Sequence, residues 1–211
     1  DIPASITDKK MVAITYDDGP NPVHTNAILD ILEQYDARAT FFDLGYLVER
    51  YPDVVRREDA LGCEVASHSW DHKNFNKITD DVIKADVERT DAAFQKALGR
   101  SPSAFRPPYG NCNDHVKKLI SLPIYLWSVD TLDWKSRNAD AILEEVKKIG
   151  DLDGKVILMH GIYGSTAEAT ARLVPYLQEQ GYELVTVSEL VAAKHGETPE
   201  NSKIYGYHYF Q

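Results

Sequence analysis

The sequence predicts an α/β fold in which parallel strands close into a distorted (β/α) barrel. Three observations predict it. Short β-rich runs alternate with amphipathic helical stretches along the 211 residues. Reactive side chains stand just after those runs, where a barrel gathers its chemistry at the carboxyl ends of the strands. No internal repeat, low-complexity tract or Pro/Gly/Ser linker divides the chain, so residues 1–211 read as one catalytic domain with short extensions at 1–10 and 195–211.

Strand candidates fall at 11–16, 39–42, 64–67, 104–106, 124–127, 155–159 and 183–186, which makes seven. Between them lie helices with recognisable ends. Thr79 caps one whose inner face is Ile83, Val87, Thr90, Phe94 and Leu98, and Gly99 stops it. Ala167, Thr170, Val174 and Leu177 repeat the pattern, with Gly181 as terminator.

Hydrophobic residues make up 43% and charged residues 27%, the balance of a folded domain with a sizeable core. A formal net charge of −10 repels phosphate backbones and anionic lipid surfaces, which argues against nucleic acid as a partner. Apolar runs are no longer than the one at 156–159, far below the ~18 residues a membrane helix needs, so no membrane span is expected. DIPASITDKK at the start lacks the features of a secretory leader, which would have been removed or lie outside this chain. Cys63 and Cys112 are too few for a disulfide scaffold and are expected as two free thiols.

The chemistry-bearing residues follow the strands. Asp17 and Asp18 precede Gly19-Pro20 at a strand end, where neighbouring side chains point to opposite sides and can take different tasks. Taken alone, DDGP reads as a turn with solvated carboxylates. His68 and His72 stand four apart in HSWDH, and a helical turn would bring both imidazoles to one side. Such a pair alone is more often two solvated residues. With an available Asp it matches a three-ligand divalent-metal site that leaves a position open for water. Asp17 is placed as general base and His160, after the run KVILM, as general acid, although a lone His after a strand is usually structural. Arg106 opens RPPYG, where two prolines remove donors and leave the Tyr109 N–H as the next one free; it could pair with Asp17 and hold it ionised. Asp130 and Asp133 are expected to follow the fifth strand. Tyr46, Phe75, Tyr109 and Tyr163 are available as rim aromatics for a polymer.

Together these segments resemble the carbohydrate esterase family 4 polysaccharide deacetylases, the NodB homology domain. Five motifs occur in the family's order: TYDDGP at 15–20, HSWDH at 68–72, RPPYG at 106–110, DTLDW at 130–134 and LMHG at 158–161. The resemblance runs over residues 11–193 and implies a barrel of seven strands. It also implies one divalent metal ion, zinc first with cobalt or nickel as alternatives, on Asp18, His68 and His72. By motif position Asp17 would be the base and His160 the acid, with Arg106 tuning Asp17 and Asp133 tuning His160. The Tyr109 N–H would stabilise the oxyanion, and Trp134 with Leu158 would line the acetyl pocket. Gly161 departs from the pattern, since the family usually has Asp there, which bears on the orientation of His160 or the groove rim.

The implied partner is an acetylated polysaccharide or oligosaccharide, met outside the cell, with the chain possible as one part of a larger glycan-degrading enzyme. The acidic surface favours a neutral hemicellulose, hence acetylxylan esterase; N-deacetylation of chitin or peptidoglycan is the alternative. A small-molecule amidohydrolase and a non-catalytic carbohydrate-binding module are the rivals.

Overall fold

The computed structural model describes residues 7–211, so the first part of the 1–10 extension lies outside the described residues. In chain order the elements are β1 (Met11–Asp17), α1 (His24–Gln34), β2 (Thr40–Asp43), α2 (Gly45–Arg50), α3 (Pro52–Ala60), β3 (Glu64–Ser67), α4 (Asp80–Leu98), α5 (Asp114–Lys117), β4 (Ile124–Tyr125), β5 (Val129–Asp130), α6 (Asp133–Ser136), α7 (Ala139–Lys147), β6 (Val156–His160), α8 (Gly164–Glu179), β7 (Glu183–Leu184), α9 (Val187–His195) and β8 (Ile204–Tyr205).

All ladders are parallel. The sheet runs β3-β2-β1-β6-β5, with β7 beside the first residues of β1. Phe105 bridges to Ser67 on one side and to Ile124 on the other, carrying the wall on from β3 to β4, which pairs with β8. The chain passes from β4 to β5 through residues 126–128, with no ladder between those two strands among the described residues. The result is the distorted barrel the sequence predicts.

Period-2 alternation along β1 positions the site. Val12, Ile14 and Tyr16 pack outward against α1, α7 and α8 with Phe41, Leu29, Ile142 and Leu173. Met11 and Ala13 face inward with Phe42, Ala66, Tyr125 and Val156. Thr15 and Asp17 continue that inner row, so the strand's last acid is delivered buried into the barrel mouth.

Eight strands stand among the described residues rather than seven, and the differences have causes. The run at 104–106 forms only the single-residue bridges at Phe105, because Pro107 and Pro108 follow without an N–H to extend a ladder. The run at 124–127 breaks after Tyr125, where the Arg106 guanidinium takes up the Tyr125 and Leu126 carbonyls. Asp130 therefore lies within β5, not after a strand. The aromatic tail supplies β8, which pairs with β4 and whose Tyr205 is fully buried with Phe210, so this part of the 195–211 extension belongs to the folded domain.

Helix ends match their sequence signals. The Thr79 side chain accepts from the Val82 N–H and Gly99 is left-handed at the end of α4 (φ 73°). Gly181, at φ 86°, follows α8 before β7. Both cysteines are free thiols, Cys63 buried before β3 and Cys112 half-buried.

Candidate active site

Asp17 ends β1 at 3% exposure, and such a carboxylate needs partners to stay charged. Arg106, itself fully buried, supplies one: its Nη1 donates to Asp17 Oδ1 at 2.8 Å and to Thr15 Oγ1 at 2.7 Å. Its remaining donors reach the Tyr125 and Leu126 carbonyls at 3.1 and 2.8 Å, so the guanidinium is fixed on four acceptors. Burial alone would raise the Asp17 carboxyl. The Arg106 charge, with His68 and His160, outweighs it and holds Asp17 below the usual carboxylate range.

Asp18 adopts a left-handed conformation (φ 73°), which turns the chain out of the strand. Its carboxylate therefore does not point away from that of Asp17, as strand alternation predicts. Both converge on His68, whose Nε2 lies 3.4 Å from Asp18 Oδ1 and 3.6 Å from Asp17 Oδ2. His72 Nε2 lies 3.5 Å from the same Asp18 oxygen. The segment joining the histidines is not helical as expected: Ser69 and His72 are both left-handed, at φ 73° and 66°. External bonds hold it. The Trp70 N–H donates to Asp86 Oδ1 at 2.9 Å, and the Ser69 and Trp70 carbonyls accept from the Gly45 and Tyr46 N–H groups of α2.

These residues fit a metal ion. One donor atom from each of Asp18, His68 and His72 lies within 4.8 Å of the others. Asp18 Oδ1 is buried and accepts no hydrogen bond among the described residues, an orphaned oxygen that a cation would satisfy. His68 Nδ1 sits 2.6 Å from the Arg106 carbonyl; donation there leaves the Nε2 lone pair turned toward the trio. Burial and the His68 imidazole lower the His72 pKa, favouring the neutral ring a ligand requires.

His160 ends β6 across from Asp17, with which it is in register. Its Nδ1 donates to Asp133 Oδ1 at 2.8 Å, and its backbone N–H donates to Asp133 Oδ2 at 2.7 Å. Thr166 Oγ1 and the Trp134 N–H complete the shell of this fully buried carboxylate at 2.7 and 2.8 Å. Burial would lower the His160 pKa, but the bond to Asp133 and the charge of Asp17 prevail and push it up to about 9. Orientation is thus set by Asp133. Gly161 follows with its N–H on the Asp17 carbonyl at 2.9 Å and its own carbonyl accepting from Thr25 Oγ1 at 3.0 Å, and a Cβ there would meet only ordinary contacts, the nearest at 3.5 Å.

A cleft of about 410 Å³ joins these groups. Asp17, Asp18, His68, His72, Tyr109, Trp134, Leu158 and His160 all line it, while Arg106 and Asp133 lie beneath. Tyr109 is left-handed (φ 63°), 65% exposed, with its ring 4.7 Å from that of His72. Its N–H makes no hydrogen bond among the described residues. Trp134 is 47% exposed at the opposite wall. Of the expected rim aromatics Tyr46 is exposed and Tyr163 lines the cleft, but Phe75 is buried, stacked on Phe105. Sequence reasoning missed Thr15 and Thr166, which bond to Arg106 and Asp133, and Trp127, which lines the cleft. Thr15 stands two residues before Asp17 on one face and was findable by alternation; Thr166 reaches Asp133 from a helix 33 residues on, with no local signal.

The family model described as "Polysaccharide deacetylase" matches residues 4–124. The chain belongs to the polysaccharide deacetylase family. Among family members, the peptidoglycan-N-acetylmuramic acid deacetylase PdaC of Bacillus subtilis is 40% identical over 186 residues, 88% of this chain and 40% of that protein. The solved structure of PdaC superposes with a TM-score of 0.87, covering 90% of this chain and 93% of that one. The peptidoglycan-N-acetylglucosamine deacetylase PgdA of Listeria monocytogenes is 41% identical over 92% of this chain and 41% of that protein. A family 4 acetyl xylan esterase from Clostridium thermocellum, solved in complex with a cobalt ion, is 32% identical with a TM-score of 0.86, covering 93% of this chain and 98% of that one. The chain thus spans about two-fifths of the length of the curated polysaccharide deacetylases it matches first.

Proposed function

We propose that this polysaccharide deacetylase domain hydrolyses N-acetyl groups from a peptidoglycan-type glycan, using one divalent metal ion held by Asp18, His68 and His72. The observation that carries the reading is the convergence of those three donor sets between Asp17 on one side and His160 on the other, in a single cleft. Lewis acidity toward the acetyl carbonyl and the attacking water is what a divalent ion supplies when bound, zinc first by the chemistry of a His-His-Asp set.

The chain's own residues do the rest. Asp17, kept ionised by Arg106, accepts the proton of the attacking water as its oxygen bonds to the acetyl carbon. His160, protonated at neutral pH by its bond to Asp133, delivers a proton to the leaving nitrogen as the C–N bond breaks and acetate departs. The free Tyr109 N–H supports a role in stabilising the oxyanion. Trp134 and Leu158 form the apolar wall for the acetyl methyl. Asp133 and Arg106 act through their partners.

Support for an N-acetyl glycan comes from the relatives at 40–41% identity, both named as peptidoglycan deacetylases. O-deacetylation of xylan is the second reading, favoured by the net charge of −10 and the likeness to the acetyl xylan esterase. Action outside the cell, as one part of a larger enzyme, belongs to the same proposal. Acetate release by the metal-loaded chain from N-acetylglucosamine oligosaccharides, peptidoglycan fragments and acetylated xylan tests it. Release confined to xylan sinks the first reading, and release from none sinks both.

A further inference from the structure

Stacked on a residue that lines the cleft is a guanidinium with no ion pair among the described residues. Arg137 closes α6 in a left-handed conformation (φ 47°), and its Nε donates to the Trp134 carbonyl at 3.1 Å. Its flat face covers the Tyr163 ring, with Cζ 3.4 Å from the ring centre. Tyr163 lines the cleft, and its ring centre is 5.9 Å from that of His160. Arg137 does not itself line the cleft but adjoins it through Tyr163 and Trp134, so it stands within reach of a substituent that extends past the Tyr163 ring from the acetylated sugar or its neighbour. Arg137 is exposed and forms no ion pair among the described residues; Arg50 and Arg89 share that feature, over Tyr51 and Trp70, but of the three only Arg137 is stacked on a residue that lines the catalytic cleft.

Stacking on Tyr163 occupies the face of the guanidinium and leaves its Nη edge free, the fork that matches a carboxylate with two parallel bonds. The surroundings give that edge something to do. Asp17, Asp18 and Asp130 line the cleft, and the whole chain carries −10, a field that repels any anionic substituent of a glycan. A fixed cation at the rim offsets that field locally. We propose that Arg137, braced by Tyr163, is a specificity-determining residue that binds a carboxylate carried by the glycan at or next to the acetylated sugar. This rests on the glycan-deacetylase reading and deepens it: the substrate class is an acetylated glycan bearing sugar carboxylates, whether lactyl ethers or uronic acids.

The test compares the wild-type chain with Arg137→Gln and Arg137→Lys by calorimetric binding and by acetate release. The probes are a tetrasaccharide alternating N-acetylglucosamine with N-acetylmuramic acid, a neutral N-acetylglucosamine tetramer, and acetylated xylo-oligosaccharides with and without a glucuronate branch. Arg137→Gln is expected to weaken a carboxylate-bearing probe about 5- to 10-fold more than its neutral counterpart, with Arg137→Lys in between and the gap closing as salt rises. Whichever carboxylate shows the gap names its source. Equal weakening of charged and neutral probes, no weakening, or no binding of either charged probe overturns the proposal. Selective binding without acetate release from any probe would instead overturn the hydrolase reading and leave this one standing.

Discussion

Burial acts on Asp17 and His160 against the charge each carries, and in both cases charged neighbours reverse it, Arg106 first for Asp17 and Asp133 first for His160. Arg106 keeps Asp17 ionised and Asp133 keeps His160 protonated, the two states that a base and an acid must hold at the same pH. Asp17→Asn is expected to reduce kcat by about two to four orders of magnitude with metal content unchanged, whereas His68→Ala loses both; elemental analysis beside acetate release separates them. For His160 the folded pKa of about 9 stands above the ordinary 6.5, so protonation stabilises the fold fully below the ordinary value and is lost as pH rises through about 9. Activity is therefore expected to decline on the alkaline side near that pH. Asp133→Asn should move the limb toward neutrality; a limb that stays in place would refute the coupling.

At the scale of elements, the strand ends were legible because a parallel strand covered on both faces writes itself as an apolar run, and β1 and β6 need no other signal. The α4 boundaries were legible for an equally local reason, a hydroxyl at one end and a glycine at the other. Thr79→Ala and Gly99→Ala are each expected to cost about 1 kcal/mol in chemical denaturation. What could not be read was geometry imposed from a distance. The left-handed turns at Asp18, Ser69 and His72 depend on partners such as Asp86 and the start of α2, and these decide that two adjacent carboxylates converge. In the same way Arg106, read as a partner for Asp17, also takes up the Tyr125 and Leu126 carbonyls where β4 ends. The tail was opaque because a two-residue strand carries no periodicity; its removal from residue 204 onward exposes neighbours of Tyr205 and Phe210 and is expected to lower the melting temperature.

For the whole molecule, the barrel brings residues from four segments of the chain to one mouth: Asp17 and Asp18, His68 and His72, Asp133, and His160. Net charge, a global quantity, pointed toward neutral xylan, while the relatives at 40–41% identity are named as peptidoglycan deacetylases; the proposed role of Arg137 is a local positive charge set against that global one. In the proposed function, hydrolysis depends on one ion seated between Asp18 and the two histidines. The most direct measurement is acetate release followed during titration of the chelator-stripped chain with zinc, with bound metal counted in parallel. Activity rising from zero to a plateau at about one ion per chain, and absent in His68→Ala, is the predicted result. Undiminished acetate release from the stripped chain would contradict it.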